Sequence, residues 1–142
     1  MSRQIAGKRP SKRSRWQGYV DDGLLRTGQV SEAAIHGLDG KRWASSPGLL
    51  IPPSQIRQAV ANITGEESFM KKNGIKLGAE HYIFLRTEGG RLMLGRKGGD
   101  SGVCVVKTRT AVLVGTYAAG IQPAHCSGVM ERMGEYLIQH NL

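Results

Sequence analysis

Over residues 16–27 the apolar side chains Val20, Leu24 and Leu25 recur at helical spacing, and Gly28 supplies a stop, so the pattern predicts a first helix. Two short runs follow at 30–37 and 41–45, joined at Asp39-Gly40, where a glycine can take the positive φ of a tight hairpin turn. In "PPSQIRQAVANI" the prolines can open a helix over 53–63, with Ile56, Ala59, Val60 and Ile63 along one face. "GEESFMKKNG" predicts a short helical turn closed by Asn73-Gly74. The period then changes. "HYIFLRT", "RLMLGRK", "VCVVKT" and "AVLVGTY" are brief, rich in β-branched or aromatic residues, and separated by turn signals, as in an antiparallel meander. From Pro123 to about His140, Cys126, Met130, Met133 and Leu137 stack at spacings of three and four, predicting a terminal helix. The order helix, hairpin, helix, meander, helix implies an α+β fold: one antiparallel sheet with helices packed on its faces. No internal repeat is detectable.

A chain of 142 residues, 39% hydrophobic and 22% charged, has the size and balance of one globular domain with one core. It holds no apolar run approaching the roughly 18 residues of a membrane span, and no apolar stretch follows the basic N-terminus as a secretory signal would need. Cys104 and Cys126 have neither metal-ligand spacing nor a disulfide framework, and are expected as buried, reduced thiols. Net charge is +9, unevenly spread: residues 1–15 carry six cations and no acid, the remainder 14 cations and 11 acids. A basic arm on a mildly basic domain favours a polyanionic partner, whether acidic lipid, nucleic acid or protein.

Catalytic motifs are fragmentary. "GGDSGV" contains the string around a serine-protease nucleophile, but His36, His81, His125 and His140 sit in no partner motif, and the segment reads as a turn between strands. "GRKGG" lacks the full phosphate-loop spacing and the strand-to-helix transition. Scattered histidines argue against a metal site, and no carboxylate pair stands out for acid-base work. No cofactor and no enzymatic activity are expected.

The aromatic residues are more informative. Trp16 and Tyr19, two of only eight aromatic residues, lie three positions apart, neighbours on one helical face, and form either core or a platform. The stretches "WQGYVDDGLL", "GQVSEAAIHGLDGKRWASSPG", "GIKLGAEHYIFLR", "GRKG", "VVKT", "VLVGTY", "IQP" and "ERMGEYLIQHNL" run in order from Trp16 to Leu142, and on them the chain resembles the profilins, small eukaryotic actin-monomer-binding proteins. The resemblance implies a central antiparallel sheet with the N- and C-terminal helices on one face and the remaining helices on the other. It implies a groove for proline-rich segments at Trp16, Tyr19, Trp43, Tyr136 and Leu142. Polyproline is a preordered helix with flat rings and free carbonyls, which aromatic rings can stack on and indole or phenol donors can bond to. A second implied surface, away from the groove, binds monomeric actin through His81, Arg86, Arg96, Lys97, Lys107, Ser127 and Glu131. Arg86, Arg96, Lys97 and Lys107 are the implied contacts to phosphoinositide membranes.

By this resemblance the protein is cytoplasmic and cytoskeletal, regulates actin polymerisation and nucleotide exchange on actin, and links actin to proline-rich, formin-type assembly factors. Profilins generally begin a residue or two before the matching tryptophan, whereas fifteen residues precede Trp16 here. The division expected is a flexible basic extension, 1–15, and a profilin domain, 16–142. Two other readings compete: an adaptor for proline-rich segments that has lost actin binding, and a basic nucleic-acid-binding module whose affinity would fall steeply with salt.

Overall fold

The computed structural model describes residues 14–142, so all but the last two positions of the expected extension lie outside the described residues. Ser14 is extended and caps the first helix, its Oγ accepting from the Gln17 amide at 3.1 Å. Helix α1 (Arg15–Gly18) thus begins one residue before the expected domain boundary.

The predicted uniform helix over 16–27 is wound three ways. α1 passes into a π-helical turn over Tyr19–Leu24 and a 3-10 turn over Leu25–Thr27, ending at Gly28 with φ 76°. A side chain at Gly23, within the wide turn, would collide with Met133 of the terminal helix. The bare position therefore seats one terminal helix on the other.

The strands are β1 (Glu32–Gly37), β2 (Arg42–Ser45), β3 (Ile75–Leu77), β4 (Glu80–Glu88), β5 (Leu92–Lys97), β6 (Ser101–Lys107) and β7 (Ala111–Tyr117). They form one antiparallel sheet in the order β2-β1-β7-β6-β5-β4-β3, the α+β architecture expected. The three-residue β3 was not predicted. It shows alternation only at Ile75 and Leu77, both buried, between two glycines of positive φ, Gly74 and Gly78.

Helices α2 (Pro53–Ile63) and α3 (Ser68–Asn73) cover one face, while α1 and α4 (Pro123–Gln139) cover the other. β7 divides its side chains accordingly. Leu113 joins the core under the terminal helices, and Val112 and Val114 join the core under α2 and α3. With both faces covered, the strand reads as a continuous apolar run, every residue buried. Helix α4 packs on β6 and β7, with Met130 where a side chain at Gly115 would stand. It leaves the outer strands bare: Ile83 and Leu85 on β4 are 60% and 41% exposed. Cys104 and Cys126 are free and buried in the core beneath α4. Among the described residues no helix is long and apolar enough to cross a membrane.

Candidate ligand-binding surfaces

Trp16, Tyr19, Trp43 and Tyr136 converge on one surface. The indoles of Trp16 and Trp43 are 4.7 Å apart between centroids and tilted by 44°. Trp16 meets Tyr19 edge-on at 5.6 Å, and Tyr19 meets Tyr136 edge-on at 5.9 Å. Such spacings and angles are those at which aromatic quadrupoles attract. The rings nevertheless stay open to solvent: Trp16, Tyr19 and Trp43 are half-buried, and Tyr136 is 44% exposed. Ordinary core rings would be sealed.

Trp43 reaches this surface through a β-bulge. Ala44 pairs with Ile35 and Arg42 with His36, so Trp43 is the extra residue, and its side chain packs on the same core as that of Ala44. Strict alternation would aim it at the opposite face. Its ring lies against Gly37, where an added Cβ would come within 2.9 Å of Trp43 Cζ2. Leu142 is half-buried against the same core. Asn141, with φ 62°, turns the chain end back so that Leu142 N–H donates to the Leu137 carbonyl at 2.8 Å. The Leu142 oxygen accepts from Thr110 N–H at 2.8 Å and Thr108 Oγ1 at 3.0 Å.

Two members of the surface were not foreseen. His140 stacks on Tyr136 at 4.2 Å and its Nδ1 donates to the Tyr136 carbonyl at 2.7 Å, adding a fifth ring. Arg15 lies over the Trp16 ring at 5.7 Å. Helical spacing of four between Tyr136 and His140 was the available signal for the first. Burial, with a hydrogen bond to Tyr136 second, pushes the Tyr19 phenol above its ordinary range, so it stays a hydroxyl and a donor. The array offers flat apolar faces rimmed by indole N–H and phenol O–H groups.

The residues expected on the second surface fall into groups. Arg86 and Ser127 line a hollow of about 250 Å³ between β4 and the start of α4, with Leu85, Leu94, Tyr117 and Pro123. A bulge between Phe84 and Arg86 makes Leu85 the extra residue of β4, beside Arg86. His81, Arg96 and Lys97 line a second hollow, of about 450 Å³, with Lys71 and Lys72 of α3. Glu131 borders a third with Glu88, Arg91 and Glu135. Lys107 stands apart. It lies six residues beyond Ser101, the partner of Lys97, or roughly 20 Å along the strand. Its cross-strand partner Val112 belongs to the core under α2 and α3. The geometry therefore places Arg86 with Ser127, brings Arg96 and Lys97 together with His81, and leaves Lys107 at the far end of the sheet.

Most cations here have an acidic neighbour: Arg86 Nε is 2.6 Å from Glu88, Lys97 pairs with Glu80, and Lys71 Nζ is 3.3 Å from Glu67. The "GGDSGV" segment is the turn into β6, with Ser101 paired to Lys97 across the strands. Among the described residues, no cluster of three His, Cys, Asp or Glu side chains could hold a metal ion.

A family model for profilin matches residues 14–142. Profilin-1A of Acanthamoeba castellanii is 42% identical over 123 residues, 87% of this chain and 95% of that protein. Profilin of Branchiostoma belcheri is 39% identical over 127 residues, 89% of this chain and 98% of that protein. Among solved structures, Acanthamoeba castellanii profilin IA superposes with a TM-score of 0.84 at 38% identity, covering 89% of this chain and 99% of that one. Mouse profilin IIa, solved in complex with a double repeat from the FH1 domain of mDia1, superposes at 0.74 with 25% identity, covering 91% and 100%. The match spans every described element, from the capped first helix to the returning C-terminus, and the chain belongs to the profilin family.

Proposed function

We propose that this profilin carries two ligands at once: a proline-rich segment across the ring array, and monomeric actin on the surface of β4, β5 and the start of α4. The observation that carries the first half is the solvent-open run of rings from Trp43 through Trp16 and Tyr19 to Tyr136. A polyproline helix is already extended, so it loses little entropy on docking, and its free carbonyls meet the donors at the ring edges. The FH1 repeat held by mouse profilin IIa supports formin-type assembly factors as the source of that segment.

For actin, the support is the family together with a face that combines exposed Ile83 and Leu85 with Arg86, Arg96, Lys97 and His81, beside Ser127 and Glu131 of α4. Apolar anchors supply affinity, and cations speed encounter with an acidic partner. By holding actin monomers, the protein regulates polymerisation and promotes nucleotide exchange in actin's own cleft, in the cytoplasm and at the cytoskeleton. Arg86, Arg96 and Lys97 also suit a phosphoinositide headgroup, with Lys107 as a separate contact.

The test is a pair of titrations. Tryptophan fluorescence should report a proline-rich peptide binding both to the free protein and to its complex with actin monomers. Failure to be retained on polyproline, or mutual exclusion of the two ligands, would overturn the reading.

A further inference from the structure

Ser45 ends the edge strand β2, and its N–H and C=O face away from β1. An unpaired edge of this kind leaves a donor and an acceptor unsatisfied. The side-chain amide of Gln17 fills both places. Its Nε2 donates to the Ser45 carbonyl at 3.1 Å, and its Oε1 accepts from the Ser45 N–H at 3.4 Å. The second Nε2 hydrogen goes to Asp21 Oδ1 at 3.0 Å, which fixes which end of the amide is the donor. A primary amide thus stands in for one residue of a neighbouring strand.

The consequence concerns the groove. Helix α1 and the π and 3-10 turns that continue it end at Thr27, a length marginal for helix propensity alone, so the position of its first turn depends on what it touches. Trp16 precedes Gln17 in that helix, and Trp43 lies two residues before Ser45 on the strand. The two elements that carry the indole pair, 4.7 Å apart between centroids, are therefore tied together by hydrogen bonds one residue from Trp16 and two from Trp43. We propose that Gln17 is a positioning residue for the aromatic groove: its amide pairs with the Ser45 backbone and sets the distance and tilt of Trp16 against Trp43. Glutamate would set a second negative oxygen against the Ser45 carbonyl and Asp21. Methionine keeps the length of the side chain and loses both bonds.

The proposal rests on the reading of this surface as a proline groove, and its test includes a measurement that needs no ligand. Coupled indoles at this separation give a paired band of opposite signs in circular dichroism, read here in wild type, Gln17→Met and Gln17→Glu. Both variants should lose most of that signal while the unfolding temperature moves little. Affinity for a polyproline peptide should fall about ten-fold in Gln17→Met, and further in Gln17→Glu, with actin affinity unchanged. In Gln17→Glu the loss should shrink as the pH drops far enough to protonate the new carboxyl, which can then donate to Ser45; wild type should lack that dependence.

Wild-type dichroism and peptide affinity retained in Gln17→Met would overturn the assignment. So would unfolding of both variants, or a parallel loss of actin affinity, because Gln17 would then hold the fold as a whole. If wild type binds no polyproline, the functional reading fails, and the dichroism alone still decides what Gln17 does.

Discussion

The ring array and the surface of β4 and β5 are both delivered by bulges near opposite edges of one sheet, yet they are built on opposite principles. At one edge the bulge at Trp43 sets a ring among rings, each held by its neighbours and by the backbone beneath. At the other, the bulge at Leu85 sets an exposed aliphatic side chain beside long cations whose partners are single, solvent-exposed carboxylates. Exposed ion pairs of this kind contribute roughly 0–1 kcal/mol, so the cations can be recruited by a partner at little cost. Rigid rings fix the shape of a ligand before it arrives, whereas a mobile charged rim steers a large partner and adapts to it.

That contrast breaks most visibly by removing a ring. Trp16→Ala and Trp43→Ala should each weaken polyproline binding by 100-fold or more, since a buried aromatic anchor typically carries about 2–4 kcal/mol of an interface. Both rings rest on the core, so unfolding should become easier by about 1–2 kcal/mol, with folding and actin affinity retained. Column retention, actin titration and thermal unfolding separate the three readings, and loss of actin binding in either variant would erase the distinction between the two surfaces.

Charge reversal probes the other side. Arg86→Glu combined with Arg96→Glu should slow association with actin monomers about ten-fold or more at low salt, less as salt rises, while leaving polyproline retention unchanged. A smaller, sharper probe is Gly37→Ala. Its methyl would sit within 2.9 Å of Trp43 Cζ2, so the ring must shift by a few tenths of an ångström. Peptide affinity should drop several-fold with actin binding untouched, as fluorescence titration would report.

The sequence made the helix faces and the long strands legible because their periods extend over several residues: α2 begins at Pro53 and ends at Ile63 as predicted, and α4 begins at Pro123. β3 escaped because three residues cannot establish a period. The π-helical turn escaped because the apolar spacing over 16–27 is that of one uniform helix and carries no mark of the wider winding. Convergence of the four rings could be inferred only through the family resemblance. No local pattern at Trp43 signals a bulge that reverses which face the ring takes. Gln17 acts on a strand edge through geometry that residue types do not contain, whereas His140 was marked by its spacing of four from Tyr136. Lys107 shows the converse, a residue of suitable charge that strand pairing carries to the far end of the sheet.

His36, on the hairpin that carries Trp43, provides the weakest perturbation. The ring is fully buried, its Nδ1–H donates to the Gly40 carbonyl at 2.9 Å, and Nε2 has no hydrogen-bond partner. Burial pushes its pKa below the ordinary 6.5, the bond to Gly40 opposes this, and nearby Arg42 adds to the depression. As pH falls below about 6.5 the unfolded chain takes up a proton that the folded chain refuses, so stability is complete above that value and declines toward the folded pKa. The slope for one such proton cannot exceed about 1.4 kcal/mol per pH unit. Over that range the folded ring stays neutral and keeps its bond to Gly40, so peptide affinity should hold while stability declines. His36→Asn, which keeps a donor and does not titrate there, should start less stable and show a flatter decline in denaturant midpoints measured from pH 7.5 to 5. An equal slope in both proteins would place the titrating group elsewhere.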